Sequence, residues 1–257
     1  MKAELQLMPE PGASAGRLQP MESLSEQAYH FIRNQILRGR YPLGAALSRR
    51  ALAKEMRMSF VPISEALQRL EMDGLVESKP RVGTRVRVPT PQGILERYGL
   101  REALETQAAR LCVENADDAG REEIRKMGRQ LDQLYASTGG ADEEFLFTVH
   151  SYHMKFHLRI AEIGGNTLLR NAIEREQVLV FNWLFDTASQ RRSLPPGFHS
   201  RLAEAITGQS IELAEEAMRA HIRYGRENVL EALRPFSDGN AWRVRRGRRR
   251  RVLSATR

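Results

Sequence analysis

From Leu24 to Leu70 the apolar residues recur at intervals of three and four, the spacing that gives a helix one buried face. Leu24 to Leu37 carries Ala28, Phe31, Ile32 and Ile36 at that spacing and ends at Arg38-Gly39-Arg40. Residues 48–75 read as two short helices joined by a tight turn at Arg57-Met58-Ser59. Ser48 is placed to cap the first, whose apolar face is Leu52, Ala53 and Met56; Ser59 is placed to cap the second. The second carries Pro62 in its first turn, where a missing amide proton costs little, then the stripe Ile63, Ala66, Leu67 and Leu70, and stops at Asp73-Gly74. The period then changes to two. Leu75–Ser78 and Thr84–Val88 are strand-like runs around Lys79-Pro80-Arg81-Val82-Gly83, with Val86 and Val88 on one face and Arg85 and Arg87 on the other. Two short helices followed by a basic-tipped hairpin match a winged helix-turn-helix, whose second helix enters the DNA major groove. Without the hairpin, an αα-hairpin in an ordinary bundle would explain the helices as well.

Beyond Ile94 the pattern is helical throughout. The expected spans are 94–116, 118–137, 142–163, 166–189, 199–208 and 210–234, separated by Asp117-Asp118, Thr138-Gly139-Gly140, Gly164-Gly165 and Leu194-Pro195-Pro196-Gly197. The fold class is therefore mostly α: an N-terminal winged helix-turn-helix with a small β-hairpin wing, and a C-terminal all-α bundle of six or seven helices. Four regions are expected. Residues 1–23, with three prolines and no periodicity, form a flexible arm; 24–90 form the winged helix; 91–236 form the bundle; and 237–257 form a tail. Pro89-Thr90-Pro91-Gln92-Gly93 reads as a stiff, non-helical linker between the two domains.

Charge sharpens this division. Residues 24–90 hold 12 Lys/Arg against 6 Asp/Glu, residues 91–240 hold 18 against 23, and residues 241–257 hold 8 arginines and no acid. A basic helix-turn-helix module fits binding to phosphates with release of counterions. The tail's arginine block reads as a solvated segment, or as extra non-specific affinity for nucleic acid. One cysteine, Cys112, excludes an intramolecular disulfide, fits a reducing cytoplasm, and falls on an apolar helix face. No run approaches the roughly 18–20 apolar residues needed to cross a membrane. The N-terminus also lacks the apolar core of a signal peptide.

Histidine placement supplies the candidate chemistry. Five of the six histidines lie in the bundle: His150, His153, His157, His199 and His221. His153 and His157 are four apart and share one helix face, a spacing that lets both grip one ion. His199 aligns with Leu202 and Ile206, and His221 with Ala214, Ala217 and Met218. Imidazoles on three apolar faces must meet something polar once buried, and a shared divalent metal ion satisfies them together. The alternative is that each is a hydrogen-bonded core histidine. A four-imidazole set adds no ligand charge and favours zinc, with nickel or copper next, over manganese, calcium or magnesium. His150 reads as an outer neighbour. On the first bundle helix Arg101 falls in the inward stripe of Tyr98, Leu104, Glu105 and Ala108; it must be paired there, and Glu105 is one turn away.

These motifs carry a family resemblance. Residues 24–88, through "ILRGRYPLGAALSRRALAKEM" and "MSFVPISEALQRLEMDGLVESKPRVGTRV", resemble the DNA-binding domain of the GntR family of bacterial transcription regulators. Residues 94–234, through "YGLREALETQAARL", "FHLRIAEIGGNTLL" and "HSRLAEAITGQSIELAEEAMRAHI", resemble that family's FadR-like effector domain, the FCD domain. The family's recognition helix usually reads Ser-Arg-Thr-Pro-Val-Arg-Glu-Ala-Leu. Here Ser59, Pro62, Glu65, Ala66 and Leu67 are kept, while Phe60 and Ser64 replace two arginines that meet the DNA. A third family arginine matches Arg50. The expected DNA-contacting set is Arg49, Arg50, Ser59, Phe60, Val61, Ser64 and Arg69, with Lys79 and Arg81 at the wing tip. Phe60 makes no base-edge hydrogen bond but can pack on a thymine methyl; Ser64 can bond a base or a phosphate.

The resemblance also implies a metal held by Asp-x-x-x-His and two later histidines. In this sequence those positions are His153, His157, His199 and His221, with a histidine where the family has aspartate. It places Arg101, and with it Asn166, at an effector site that receives a small organic acid, although Asn166 also reads as a helix cap. The expected protein is a homodimeric, cytoplasmic regulator, a repressor, that binds a palindromic double-stranded operator under control of a carboxylate effector. Two other classes compete: a metal-dependent enzyme using the histidines, and a non-specific nucleic-acid-binding protein driven by the tail. Four imidazoles nearly close a tetrahedral site, and no conspicuous acid of the His-Glu-x-x-His kind accompanies them in the sequence. An acidic bundle twice the size of the basic module argues against the second.

Overall fold

A computed structural model describes residues 22–137, 143–186 and 194–237. The expected arm, the Arg-rich tail and the breaker Thr138-Gly139-Gly140 lie outside the described residues, save for Glu22 and Ser23 of the arm and Ser237 of the tail.

The N-terminal domain opens with α1 (Leu24–Leu37), started by a reciprocal cap: Ser23 Oγ accepts from the Glu26 amide, and Glu26 accepts from the Ser23 amide. A two-residue strand, β1 (Ala46–Leu47), leads into α2 (Arg49–Met56), which Ser48 caps through the Ala51 amide at 3.3 Å. Arg57 turns the chain in the left-handed region, and α3 (Phe60–Met72) follows. Ser59 stands at the start of α3 but its side chain makes no capping bond. That loss is worth about 1 kcal/mol. Burying Ile63, Leu67 and Leu70, at roughly 1.5–3 kcal/mol each, outweighs it.

The wing is β2 (Val76–Lys79) and β3 (Gly83–Val86), paired antiparallel with Val76 opposite Val86 and Ser78 opposite Thr84. The strand order β1-β3-β2 makes a three-stranded sheet. Thr84 and Val86 point to the core and Arg85 to solvent, the alternation read from sequence, but the strand ends before Val88. At the wing tip Arg81 adopts φ 63° and Gly83 φ 95°.

The expected linker is not one. Thr90 Oγ1 accepts from the Gly93 amide at 3.0 Å, Pro91 occupies the first helical position, and α4 (Pro91–Asn115) begins there. Of the two prolines that suggested a stiff spacer, Pro91 starts the helix and Pro89 stays outside it. The bundle continues with α5 (Asp118–Ala136), α6 (Glu143–Ile163), α7 (Thr167–Asp186), α8 (Phe198–Ile206) and α9 (Ile211–Ser237). Helix α4 packs mainly on α9, α5 on α8, and α6 on α4, α5 and α7. Tyr98, Ile124, Leu131, Phe156, Ile160, Ile173, Ile206 and Met218 fill the core, and Cys112 is buried among them. Gly128 lets α5 and α8 touch: a Cβ there would lie 2.8 Å from Ala203 Cβ and 2.9 Å from the His199 carbonyl oxygen. Among the described residues no helix is long and apolar enough to cross a membrane.

One ion pair among the described residues joins the domains, and a second braces the bundle helix next to the joint. Arg38, after α1, pairs with Glu144 on α6 and lies 4.3 Å over the Phe147 ring; Arg97 on α4 pairs with Glu176 on α7 at 2.6 Å.

Candidate functional site

Three imidazole nitrogens converge inside the bundle. His153 and His157, one turn apart on α6, and His221 on α9 bring their Nε2 atoms together. The separations are 2.9 Å between His153 and His157, 3.1 Å between His157 and His221, and 3.3 Å between His153 and His221. A neutral imidazole Nε2 either donates or accepts, never both. Three such atoms in mutual contact therefore make at most two good hydrogen bonds and leave one donor–donor or acceptor–acceptor contact. A single cation facing three lone pairs removes that conflict. The edges also suit one face of a coordination shell, about 3.3 Å for a tetrahedron built with Zn–N bonds and about 3.0 Å for an octahedron.

Burial, reinforced by the neighbouring histidines, holds His153 and His221 well below the usual imidazole range. Both are neutral at physiological pH, the form that ligates. In two of the three rings the second nitrogen meets an oxygen atom. His157 Nδ1 lies 2.5 Å from Glu105 Oε2, and His153 Nδ1 lies 3.1 Å from the Tyr135 hydroxyl. Such outer contacts fix ring orientation and tautomer in metal sites.

His199 packs directly beside this triangle. Its ring centre is 4.8 Å from that of His153 and 5.5 Å from that of His221. Asp132 reaches across from α5, accepting from the His199 and Ser200 amides at 2.9 Å each and lying 3.0 Å from His199 Nδ1. Burial pushes the His199 pKa down, against the opposing pull of Asp132. With Nδ1 committed to Asp132, the buried Nε2 carries a lone pair and meets no hydrogen-bond partner. His150 is buried one turn before His153, with Nδ1 3.3 Å from the same Tyr135 hydroxyl, whose ring stacks on His199 at 5.0 Å.

Asp132 and Tyr135 are the site residues that sequence reasoning missed. They sit three apart on α5, a helix with no histidine, and only the packing of α5 on α8 and α6 brings them in.

Arg101 is buried as expected, and its Nε donates to Glu105 Oε1 at 2.7 Å. Burial alone would raise the Glu105 pKa, but the Arg101 guanidinium and His157 overcome it and hold the carboxyl at about 2. Glu105 thus links Arg101 to the histidine cluster, and part of the arginine's hydrogen-bonding capacity is committed to it. Asn166 is the helix cap that its position after Gly164-Gly165 suggested. It is exposed, and its Oδ1 accepts from the Leu169 amide at 3.0 Å to cap α7, because Gly164-Gly165 has just ended α6.

In the N-terminal domain Arg49 and Arg50 are exposed at the start of α2, and Lys79 and Arg81 are exposed at the wing tip. Ser59, Phe60 and Val61 are exposed at the start of α3, and Ser64 is half-buried. Arg69, exposed on the last turn of α3, has its guanidinium 4.1 Å over the Tyr29 ring, a contact within the domain.

Residues 24–86 match the bacterial regulatory proteins of the gntR family, and residues 96–224 match the FCD domain. The chain belongs to the GntR family. It is 27% identical over 80% of its length to an uncharacterized HTH-type transcriptional regulator, YdhC, of Bacillus subtilis, covering 91% of that protein. It is 28% identical over 78% of its length to the probable D-xylose utilization operon transcriptional repressor of Paenarthrobacter nicotinovorans, covering 86% of it. Among solved structures it resembles Escherichia coli McbR/YncC, with a TM-score of 0.65 at 22% identity, 82% of this chain and 99% of that one being covered. This GntR-family chain is thus a DNA-binding transcriptional regulator with a winged helix-turn-helix and an FCD domain, and not an enzyme.

Proposed function

We propose that this regulator's operator binding is controlled by a small carboxylate that binds beside a divalent metal ion in the helical domain. The observation that carries this reading is the buried triangle of Nε2 atoms from His153, His157 and His221, with edges of 2.9, 3.1 and 3.3 Å. His153, His157 and His221 would hold the ion, and His199, whose Nε2 is buried without a partner, is the fourth nitrogen donor. An all-imidazole set favours zinc, with nickel as the alternative. The bound ion would present a positive charge, uncompensated by its ligands, to an anionic effector. Arg101 stands behind Glu105 as a second positive group beside the cluster; its charge adds to the depression of the His221 pKa. The DNA partner is a palindromic operator bound by a homodimer, and the effect is repression. The acidic bundle and the FCD match support an effector-sensing role for this domain.

The reading is tested in two linked measurements. Metal content of the protein purified without affinity metals, with melting recorded before and after chelation, tests the ion. A metal-free preparation whose melting ignores zinc, nickel and chelators would reject it. Enrichment of genomic fragments at physiological salt, repeated with a panel of small organic acids, tests the control. One palindrome released or bound more tightly by a carboxylate is expected; an operator whose occupancy no carboxylate changes would reject the effector class.

A further inference from the structure

The solvent face at the start of α3 is apolar. Phe60 is 57% and Val61 65% exposed, on the first turn of a helix that buries Pro62, Ile63, Ala66, Leu67 and Leu70 on its other side. The same face continues with Ser64, Glu65 and Gln68. Before Arg69 it carries no arginine or lysine, and Arg69 is stacked on Tyr29. A guanine edge is read by an arginine or lysine fork, an adenine edge by glutamine or asparagine, and a thymine methyl by an apolar side chain. In helix-turn-helix proteins the N-terminal residues of the recognition helix meet the base edges.

We propose that this recognition helix reads its half-site through thymine C5-methyl groups, contacted by Phe60 and Val61, in place of guanine edges. The inference deepens the regulator reading and rests on its operator binding. Its surroundings select DNA as the occupant of this apolar patch. Arg49, Arg50, Lys79 and Arg81 are all exposed on α2 and the wing, a cationic setting matched to phosphates. Ser59 is exposed and its hydroxyl makes no capping bond, so it can bond a phosphate or a base edge beside the methyl contact. The cations position the domain without reading sequence, and discrimination falls to the two apolar side chains.

The test uses the full-length protein and the fragment it enriches from genomic DNA. Each thymine of the half-site is replaced in turn by deoxyuridine, which removes the methyl and leaves every hydrogen-bonding edge intact. Affinity is then read by fluorescence anisotropy. At one or two positions per half-site the wild type should bind about fourfold more weakly, the factor expected for one buried methyl group. Phe60→Ala and Val61→Ala, both at exposed positions that leave the core untouched, should lose that difference while retaining the salt dependence of binding. A wild type indifferent to deoxyuridine at every position overturns the inference while the regulator reading stands. Variants that keep the full deoxyuridine penalty overturn it as well. Variants that change self-association but not base discrimination would assign the patch to contact between copies. An absence of any enriched sequence would remove both the operator reading and the inference.

Discussion

Tyr29 shows how a single side chain ties the recognition helix to the domain core. Its hydroxyl donates to Asp73 Oδ2 at 2.6 Å, and Arg69 lies over its ring. Burial, then the Asp73 hydrogen bond, push its pKa to about 12, and the same causes with Glu55 push Tyr41 to about 12. Both groups ionise near 10 in the unfolded chain. Above that pH the unfolded state releases protons that the folded state retains, so stability falls as pH rises from 10 to 12. Denaturant melts of the protein should show this alkaline loss, and Tyr29→Phe and Tyr41→Phe should each flatten it. The histidine positions carry a second prediction at this scale. His153→Asp restores the carboxylate that the family has at this position and should move metal preference from zinc or nickel toward manganese, read by competition titration. Equal preference before and after would detach His153 from the ion. The pair His153 and His157 was legible as two residues four apart on a helix. Glu105 was legible only as a partner for Arg101; its contact with His157 links α4 to α6, two helices far apart in the chain.

At the scale of elements, legibility followed how local the cause was. Helices α2 and α3 announce themselves by their apolar spacing and by Ser48, whereas Ser59 looks like an equal cap and is not one. Strand β1 is two residues long, too short for any periodicity, and exists because β3 offers it an edge. Helix α4 was expected to start at Ile94 because two prolines dominate the preceding residues; the cap by Thr90 and the tolerance of proline at the first position decide otherwise. Asp132 and Tyr135 carry no pattern of their own, since their roles depend on α5 meeting α8 and α6. That meeting depends on Gly128. Gly128→Ala would gain helix propensity worth about 1 kcal/mol. The added Cβ, however, would press on a backbone carbonyl 2.9 Å away, and overpacking of this kind costs roughly 1–3 kcal/mol. We expect net destabilisation in thermal melts, with weaker metal retention because α8 carries His199. A variant of raised melting temperature would show that α8 yields without cost.

At the scale of the whole molecule, α6 spans both tasks. Its first turns hold Glu144 and Phe147 against Arg38 of the DNA-binding domain, and its middle holds His150, His153 and His157. The Arg38–Glu144 pair is largely exposed, so removing it should cost between 0 and about 1 kcal/mol in stability. Its larger effect should be on communication. In Arg38→Ala, operator affinity should respond less to chelation or effector than in the wild type, measured as the ratio of dissociation constants with and without each. An unchanged ratio would show that the coupling runs through other contacts, with the packing of α1 on α7 the next to examine.

The capped start of α4 at Thr90 and Pro91 puts only four residues, 87–90, between the wing's last strand and the bundle. The boundary between the two domains therefore has a phase. Each residue inserted into the first turns of α4 would swing the DNA-binding domain by about 100° around the helix axis and lift it about 1.5 Å. One or two extra residues would misdirect it, while three or four would return it close to its original bearing. A chimaera that grafts this sensing domain onto another winged helix should accordingly work or fail with the periodicity of a helical turn rather than with the length of the joint.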